Sequence, residues 1–323
     1  MKTADIDKIA EIALDWHRSG QGAVLATVME TWGSAPRRAG SQLVVSRAGE
    51  MMGSVSGGCV EGAVVEAARD ALTDGKERVL TFGVSDEDAF AAGLACGGTI
   101  RVLVEPVGAV LTEAVLADLV VARAARQAVA YVVNLETGER HLAPRGGAHA
   151  ARFRADRSGV EGALFIAIHN PGPRLVVVGA VHIAQALLPM ARACGHAVIL
   201  VDPRDAFGSA ARFPGEAIVD DWPDAALAGL GLDARTAVVT LTHDPKLDEA
   251  AIRAALGSEV YYLGCLGSTR THAKRLERLT AEGFGADALA RIHAPVGLNI
   301  GAASPAEIAL SIMAEVTKAF RAG

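Results

Sequence analysis

Two stretches in the first hundred residues combine the residue types that hold anions and soft metals. The first, Gly53-Ser54-Val55-Ser56-Gly57-Gly58-Cys59-Val60-Glu61-Gly62, has four glycines, two serines and a cysteine, and runs directly into helix-forming residues 63–71. Glycine takes positive φ and lets a ligand touch the main chain. A glycine loop feeding a helix N-terminus turns free N–H groups, and the positive end of the dipole, towards an anion. Cys59 stands at that helix start, a setting that favours the thiolate form of a cysteine. The second stretch, Gly93-Leu94-Ala95-Cys96-Gly97-Gly98-Thr99, places Cys96 beside a glycine pair in mirror order and leads into a strand over 100–104. One such cysteine could equally be packed in a tight turn as a small hydrophobe. Two, each beside a glycine pair at an element boundary, point to a ligand-facing role for at least one. Zinc needs four ligands, usually paired at short spacing, and too few accompany these two. Between β-like residues 23–30 and 42–46 lies Thr31-Trp32-Gly33-Ser34-Ala35-Pro36-Arg37-Arg38-Ala39-Gly40. Its adjacent cations read either as an anion clamp or as a solvated surface turn.

The elements that must position these loops follow from periodicity. The 323 residues exceed one ordinary core, and length suggests two domains. Half the chain is hydrophobic and only 4% aromatic, which fits packed α/β layers. A formal net charge of −6 argues against non-specific binding to nucleic acid or an anionic membrane. Residues 1–20 carry charges at helical spacing rather than a signal peptide, and the apolar run 175–191 is interrupted by His182, Gln185 and Pro189. Four cysteines without a CxxC pair make no disulfide framework, so a soluble cytoplasmic protein is expected. Helices are predicted over 4–18, 60–73 and 111–127, and strands over 78–82, 128–134 and 162–169. Residues 141–158, with several arginines among Gly and Ala, read as an irregular, exposed basic segment. Asn170-Pro171-Gly172-Pro173 marks the domain junction.

Beyond the junction, Leu175-Val176-Val177-Val178 reads as a buried parallel strand. Gly179-Ala180-Val181-His182 then opens a helix, and a second strand over 196–201 ends in Asp202-Pro203-Arg204. This is a βαβ unit with the acidic residue where a ribose is held, so Gly179 and Asp202 are the candidate nucleotide contacts. Val181 stands where the fingerprint's second glycine lets backbone approach a pyrophosphate, so a nucleotide such as NAD(P) is expected to bind weakly. Strands over 237–241 and 260–263 lead into Thr242-His243-Asp244 and Gly264-Cys265-Leu266-Gly267-Ser268. Ser304-Pro305-Ala306-Glu307 carries an N-cap, an N1 proline and a capping box for a closing helix.

Together these motifs resemble the XdhC/CoxI family of xanthine dehydrogenase accessory proteins. The carrying residues are Gly33-Ser34-Ala35-Pro36-Arg37, the stretch 53–61 and Cys96-Gly97-Gly98-Thr99. In the second half they are Asp202-Pro203-Arg204, Thr242-His243-Asp244, the stretch 263–268 and the stretch 297–307. They keep family order over nearly the whole chain, departing at Val181 and at Asn299, where an aspartate is commoner. The resemblance implies an α/β fold: an N-terminal α/β cofactor-handling domain (1–170) followed by a C-terminal Rossmann-like parallel-sheet domain (174–323). It implies binding of molybdenum cofactor, assistance with its sulfuration by a cysteine desulfurase, and delivery to a xanthine dehydrogenase-type molybdenum hydroxylase, by a homodimer. The implied cofactor contacts are Cys59, Cys96, Gly57, Gly58, Gly97, Gly98, Arg37, Ser34 and Glu61, with Cys59 and Cys96 nearest the metal. The competing reading is an NAD(P)-dependent oxidoreductase using the C-terminal domain, with His243 or Cys265 as acid or nucleophile. Val181, and the lack of a hydride-transfer or hydrolytic constellation, favour the carrier.

Overall fold

The computed structural model describes residues 8–33, 37–83, 98–209 and 211–322. The chain divides into two compact units, Met1–Pro171 and Gly172–Gly323, at the Pro/Gly cluster. The first unit is built on a five-stranded antiparallel sheet ordered β3-β2-β1-β5-β4. Its strands are β1 (Ala23–Gly33), β2 (Gln42–Ser46), β3 (Met51–Gly53), β4 (Arg78–Gly83) and β5 (Gly98–Pro106). Alternation along the central strand sorts its side chains into two cores. Val24, Ala26 and Val28 pack with Val64 and Ala68 of α2 (Glu61–Asp74). Ala23, Leu25 and Met29 face α1 (Ile9–Arg18), α3 (Glu113–Ala124) and a second sheet. That sheet is ordered β7-β6-β9-β8, from β6 (Val129–Asn134), β7 (Arg140–Pro144), β8 (Gly159–Glu161) and β9 (Leu164–His169).

The basic segment 141–158 is not irregular. It supplies most of β7, a single 3₁₀ turn, and the short helix α4 (Ala150–Ala155). Phe153, one apolar side chain among four arginines, explains the difference: it is buried against Ala130, Val132 and Ile166 on the outer face of the second sheet. The edge strand β3, three residues long, has no counterpart in the sequence pattern; so short a stretch carries almost no periodicity.

The second unit is a six-stranded parallel sheet ordered β12-β11-β10-β13-β14-β15. Its strands are β10 (Arg174–Val178), β11 (Ala197–Val201), β12 (Ile218–Val219), β13 (Thr236–Thr240), β14 (Tyr262–Cys265) and β15 (Ile292–His293). In sequence order this is 3-2-1-4-5-6, the doubly wound arrangement. Every residue of β10 is buried, as the unbroken Val run requires at a sheet centre. Helices α5 (His182–Ala193), α6 (Pro223–Leu230), α7 (Pro245–Leu256), α8 (Thr269–Ala281), α9 (Ala286–Leu289) and α10 (Pro305–Ala322) complete the unit. Three of these starts carry local side-chain caps. The Asp244 side chain accepts from Lys246 N–H at 2.9 Å and Ser268 Oγ from Thr271 N–H at 3.2 Å. Ser304 and Glu307 form the capping box, Ser304 N–H donating to Glu307 Oε2 at 2.8 Å and Glu307 N–H to Ser304 Oγ at 3.3 Å.

Candidate cofactor-binding site

Strand register brings the flagged loops of the first unit to one end of the five-stranded sheet. β1 ends at Gly33, which pairs with Gly98 at the start of β5. β4 ends there too, with Gly83 beside Thr99. β2 begins at Gln42, opposite Thr27, and the last residue of β3, Gly53, lies beside Leu43. The connections 34–41, 54–60 and 84–97 therefore all issue from this end. Arg37, Gly57, Gly58 and Cys59 lie on two of them. Ser34, Cys96 and Gly97 lie outside the described residues; Gly98 is the first residue of β5.

The glycine loop does not offer its N–H groups to a ligand. Glu61, at the first position of α2, turns its carboxylate back into the loop. It accepts from the backbone N–H of Val55 (3.2 Å), Ser56 (2.9 Å), Gly57 (3.0 Å) and Gly58 (2.9 Å). The hydroxyls of Ser54 (2.7 Å) and Ser56 also donate to it. Ser56 Oγ in turn accepts from the N–H groups of Cys59 (3.0 Å) and Val60 (3.1 Å), which ties down the two residues that lead into the helix. Positive φ at Gly57 (92°) and Gly58 (125°) turns successive N–H groups inward, the geometry of an anion nest filled here by the chain's own carboxylate. Burial alone would push the Glu61 carboxyl up. The Ser56 and Ser54 hydroxyls and the backbone N–H donors outweigh that and hold it at about 2. Glu61 thus shapes the loop from within; it is 6% exposed and does not face outward. An acidic residue in the first turn after a Ser/Gly loop is itself a capping signal, and it would have shown this.

What the loop does present is the Cys59 thiol, which is free and exposed. Beside it Gly58 is open: a Cβ there would meet nothing within 4 Å, so its glycine answers to backbone conformation alone. Arg37 is half-buried and makes no ion pair or hydrogen bond with the described residues. Arg38, the second of the adjacent cations, reaches Asp156 at 3.5 Å. Among the described residues no cluster of three His, Cys, Asp or Glu side chains could hold a metal ion by itself.

In the second unit the two candidate nucleotide contacts are engaged by the protein itself. Gly179 (φ 115°) is needed because β13's continuation crosses it: a Cβ would lie 2.8 Å from Thr242 Cγ2. Asp202, 2% exposed, accepts from Ala180 N–H at 2.7 Å and is gripped by the Arg204 guanidinium at 2.7 and 2.8 Å. Although burial opposes ionisation, these donors hold its carboxyl below the usual range. Neither residue therefore reaches out as the fingerprint suggested. Cys265 is fully buried, and burial pushes its thiol up to about 11, which removes it as a nucleophile. His243 is exposed with φ 63°, and among the described residues no carboxylate hydrogen-bonds its ring.

Over 318 residues the chain is 31% identical to the molybdenum cofactor insertion chaperone PaoD of Escherichia coli (strain K12), covering 97% of this chain and 88% of that one. This chain belongs to the XdhC/CoxI family. The family models match residues 16–83 (XdhC and CoxI family) and 175–316 (XdhC Rossmann domain). A probable xanthine dehydrogenase component from Bacillus subtilis (strain 168) is 28% identical, covering 91% of this chain and 92% of that one. A crystallised protein of Bacillus halodurans described as a xanthine dehydrogenase superposes with a TM-score of 0.70 at 26% identity, covering 97% and 96% of the two chains. The XdhC/CoxI match over 16–83 includes Arg37 and the Cys59 loop.

Proposed function

We propose that this protein is a carrier that binds molybdenum cofactor and inserts it into a xanthine dehydrogenase-type molybdenum hydroxylase, with no turnover of its own. The supporting observation is the shared sheet end. An exposed thiol, the open Gly58 beside it and a cation without an acidic partner among the described residues lie on connections that issue from this end, in a chain similar along its length to an insertion chaperone. The residues suit the ligand once the Glu61 loop is understood. The cofactor is an anionic pterin with soft sulfur and molybdenum; Cys59 supplies a soft donor near the metal and Arg37 a charge-assisted contact. Ser34, Cys96 and Gly97, which fall in the connections 34–41 and 84–97, and Gly98 at the start of β5 belong to the same proposed site. Gly57 and Gly58 give the ligand room, and Glu61 positions the loop that carries Cys59. The hydroxylation chemistry of molybdenum belongs to the client enzyme.

In the same reading a cysteine desulfurase sulfurates the cofactor while it is held, and the carrier works in the cytoplasm as a homodimer. A nucleotide such as NAD(P) is at most a weak ligand of the second unit, because it would have to displace Ala180 N–H and Arg204 from Asp202. The test is to isolate the protein from its native cell and release bound pterin oxidatively. Fluorescent pterin from the wild type, reduced in Cys59→Ala, is the expected result. Wild-type protein without pterin, captured with no molybdenum hydroxylase, overturns the proposal.

A further inference from the structure

On the face of the five-stranded sheet opposite α2, the last residues of β1 and the α4–β8 segment enclose a cleft of 610 Å³. That lies within the range of about 300–1,000 Å³ typical of small-ligand sites. The walls are fixed to one another. Gly40 (φ 89°) lies so close to the far wall that a Cβ would stand 2.5 Å from Ser158 Oγ. Ser158 Oγ in turn accepts from Ile168 N–H at 2.9 Å, which leaves its own proton to donate.

Two features of the lining point to a ligand. Trp32, a large flat aromatic that is 50% exposed, is among the lining residues. The second is charge. Five ionisable side chains line the space: Glu30, Arg38, Arg152, Asp156 and Arg157. The acids are already engaged, Glu30 by Arg101 at 2.7 Å and Asp156 by Asn170 at 2.8 Å. Arg152 is held by Glu161 at 3.1 Å. Arg38 touches Asp156 only at 3.5 Å, with 70% of its side chain exposed. The Arg157 side chain makes no ion pair or hydrogen bond with the described residues. Its main chain is pinned, N–H donating to Arg152 O at 3.0 Å, so the cation is carried on a fixed turn. A flat aromatic beside two available guanidinium groups suits one chemical class, a planar heterocycle bearing a phosphate.

We propose that this cleft is the heterocycle-phosphate subsite of the carried cofactor, with Trp32 stacking on the ring and Arg157 and Arg38 holding the phosphate. The proposal rests on the carrier reading and adds residues that no motif singled out as contacts: Trp32, Arg157 and Ser158. It also gives the basic segment after β7 a purpose.

The test titrates the purified full chain with four probes: the stable, oxidised phosphopterin derived from molybdopterin, its dephosphorylated form, a nucleoside monophosphate and inorganic phosphate. Arg157→Ala should weaken phosphopterin by about tenfold to a hundredfold and leave the dephosphorylated pterin unaffected. Trp32→Ala should weaken both pterins by about fivefold to a hundredfold. Both residues are solvent-accessible, so melting temperatures should match the wild type, and Arg47→Ala, in the turn at the opposite sheet end, should change nothing. Equal losses with the nucleoside monophosphate support the same subsite with a nucleotide as the source of ring and phosphate. Wild-type binding of phosphopterin that survives both substitutions overturns the subsite and leaves the carrier intact. Failure of the wild type to bind any heterocycle, with inorganic phosphate alone retained, overturns the subsite; if native protein also yields no pterin, the carrier falls with it.

Discussion

Replacing Glu61 by Gln tests whether the glycine loop is organised by its own carboxylate. Glutamine keeps one acceptor oxygen and puts an NH₂ group where the other oxygen receives Gly58 N–H and the Ser56 hydroxyl. Gly58 N–H then faces a donor, and Ser56 Oγ already accepts from two N–H groups. The magnitude follows from the carboxyl, held at about 2 in the folded chain against an ordinary 4.5. At 1.36 kcal/mol per pH unit that gap is worth about 3 kcal/mol at neutral pH. The sign is fixed by proton binding: between pH 4.5 and 2 the unfolded chain binds the proton and the folded one does not. This stability is therefore fully present above about pH 5 and is lost as pH falls through that window. Urea unfolding of the full chain, with hydrogen exchange of the peptide over 55–74 to localise the effect, should show Glu61→Gln about 3 kcal/mol less stable at pH 7. The difference from wild type should shrink steadily towards pH 2. A variant within about 0.5 kcal/mol of wild type at pH 7, or a difference that stays flat with pH, would refute the account.

Arg37→Ala should weaken cofactor retention by about tenfold to a hundredfold, with stability changed by less than about 0.5 kcal/mol; a large melting shift with unchanged retention would make Arg37 structural. Alkylation followed by peptide mass spectrometry should label exposed Cys59 and Cys194 in the folded protein and Cys265 only after unfolding; early labelling of Cys265 would contradict its burial. Gly179→Ala should cost the second unit roughly 1–3 kcal/mol, since positive φ and the 2.8 Å approach to Thr242 both penalise a methyl group. Calorimetry should find NAD affinity weaker than micromolar before and after that change, and a submicromolar constant would show that Asp202 does release its donors.

Much of the fold was legible because its signals are local. The buried strand 174–178, the acid closing β11, and the Ser268 and Ser304 caps each lie within a few residues of the structure they specify. The candidate site was legible as a set of loops, since glycine pairs beside Cys59 and Cys96 stand out at element boundaries. What those loops do with their hydrogen-bonding groups was not. Four N–H donors over 55–58 would serve a phosphate or a carboxylate equally well, and only the folded chain shows that Glu61 takes them. The same holds for Asp202, whose position after a strand suits a ribose but whose oxygens are satisfied by Ala180 and Arg204.

By itself, then, the sequence determined most of the helices and central strands, the junction near Pro171 and the loops whose residue types suit an anion or a soft metal, because periodicity, caps and residue chemistry are properties of neighbours in the chain. Tertiary structure alone decided which of those residues remain open. It set β1 beside β5 so that distant loops share one sheet end, buried Phe153 to turn a basic stretch into the wall of a cleft, and left Arg157 facing Trp32's strand across it. The physical reason is that a donor's availability depends on which acceptors the fold brings within about 3 Å, and such acceptors can come from anywhere in the chain.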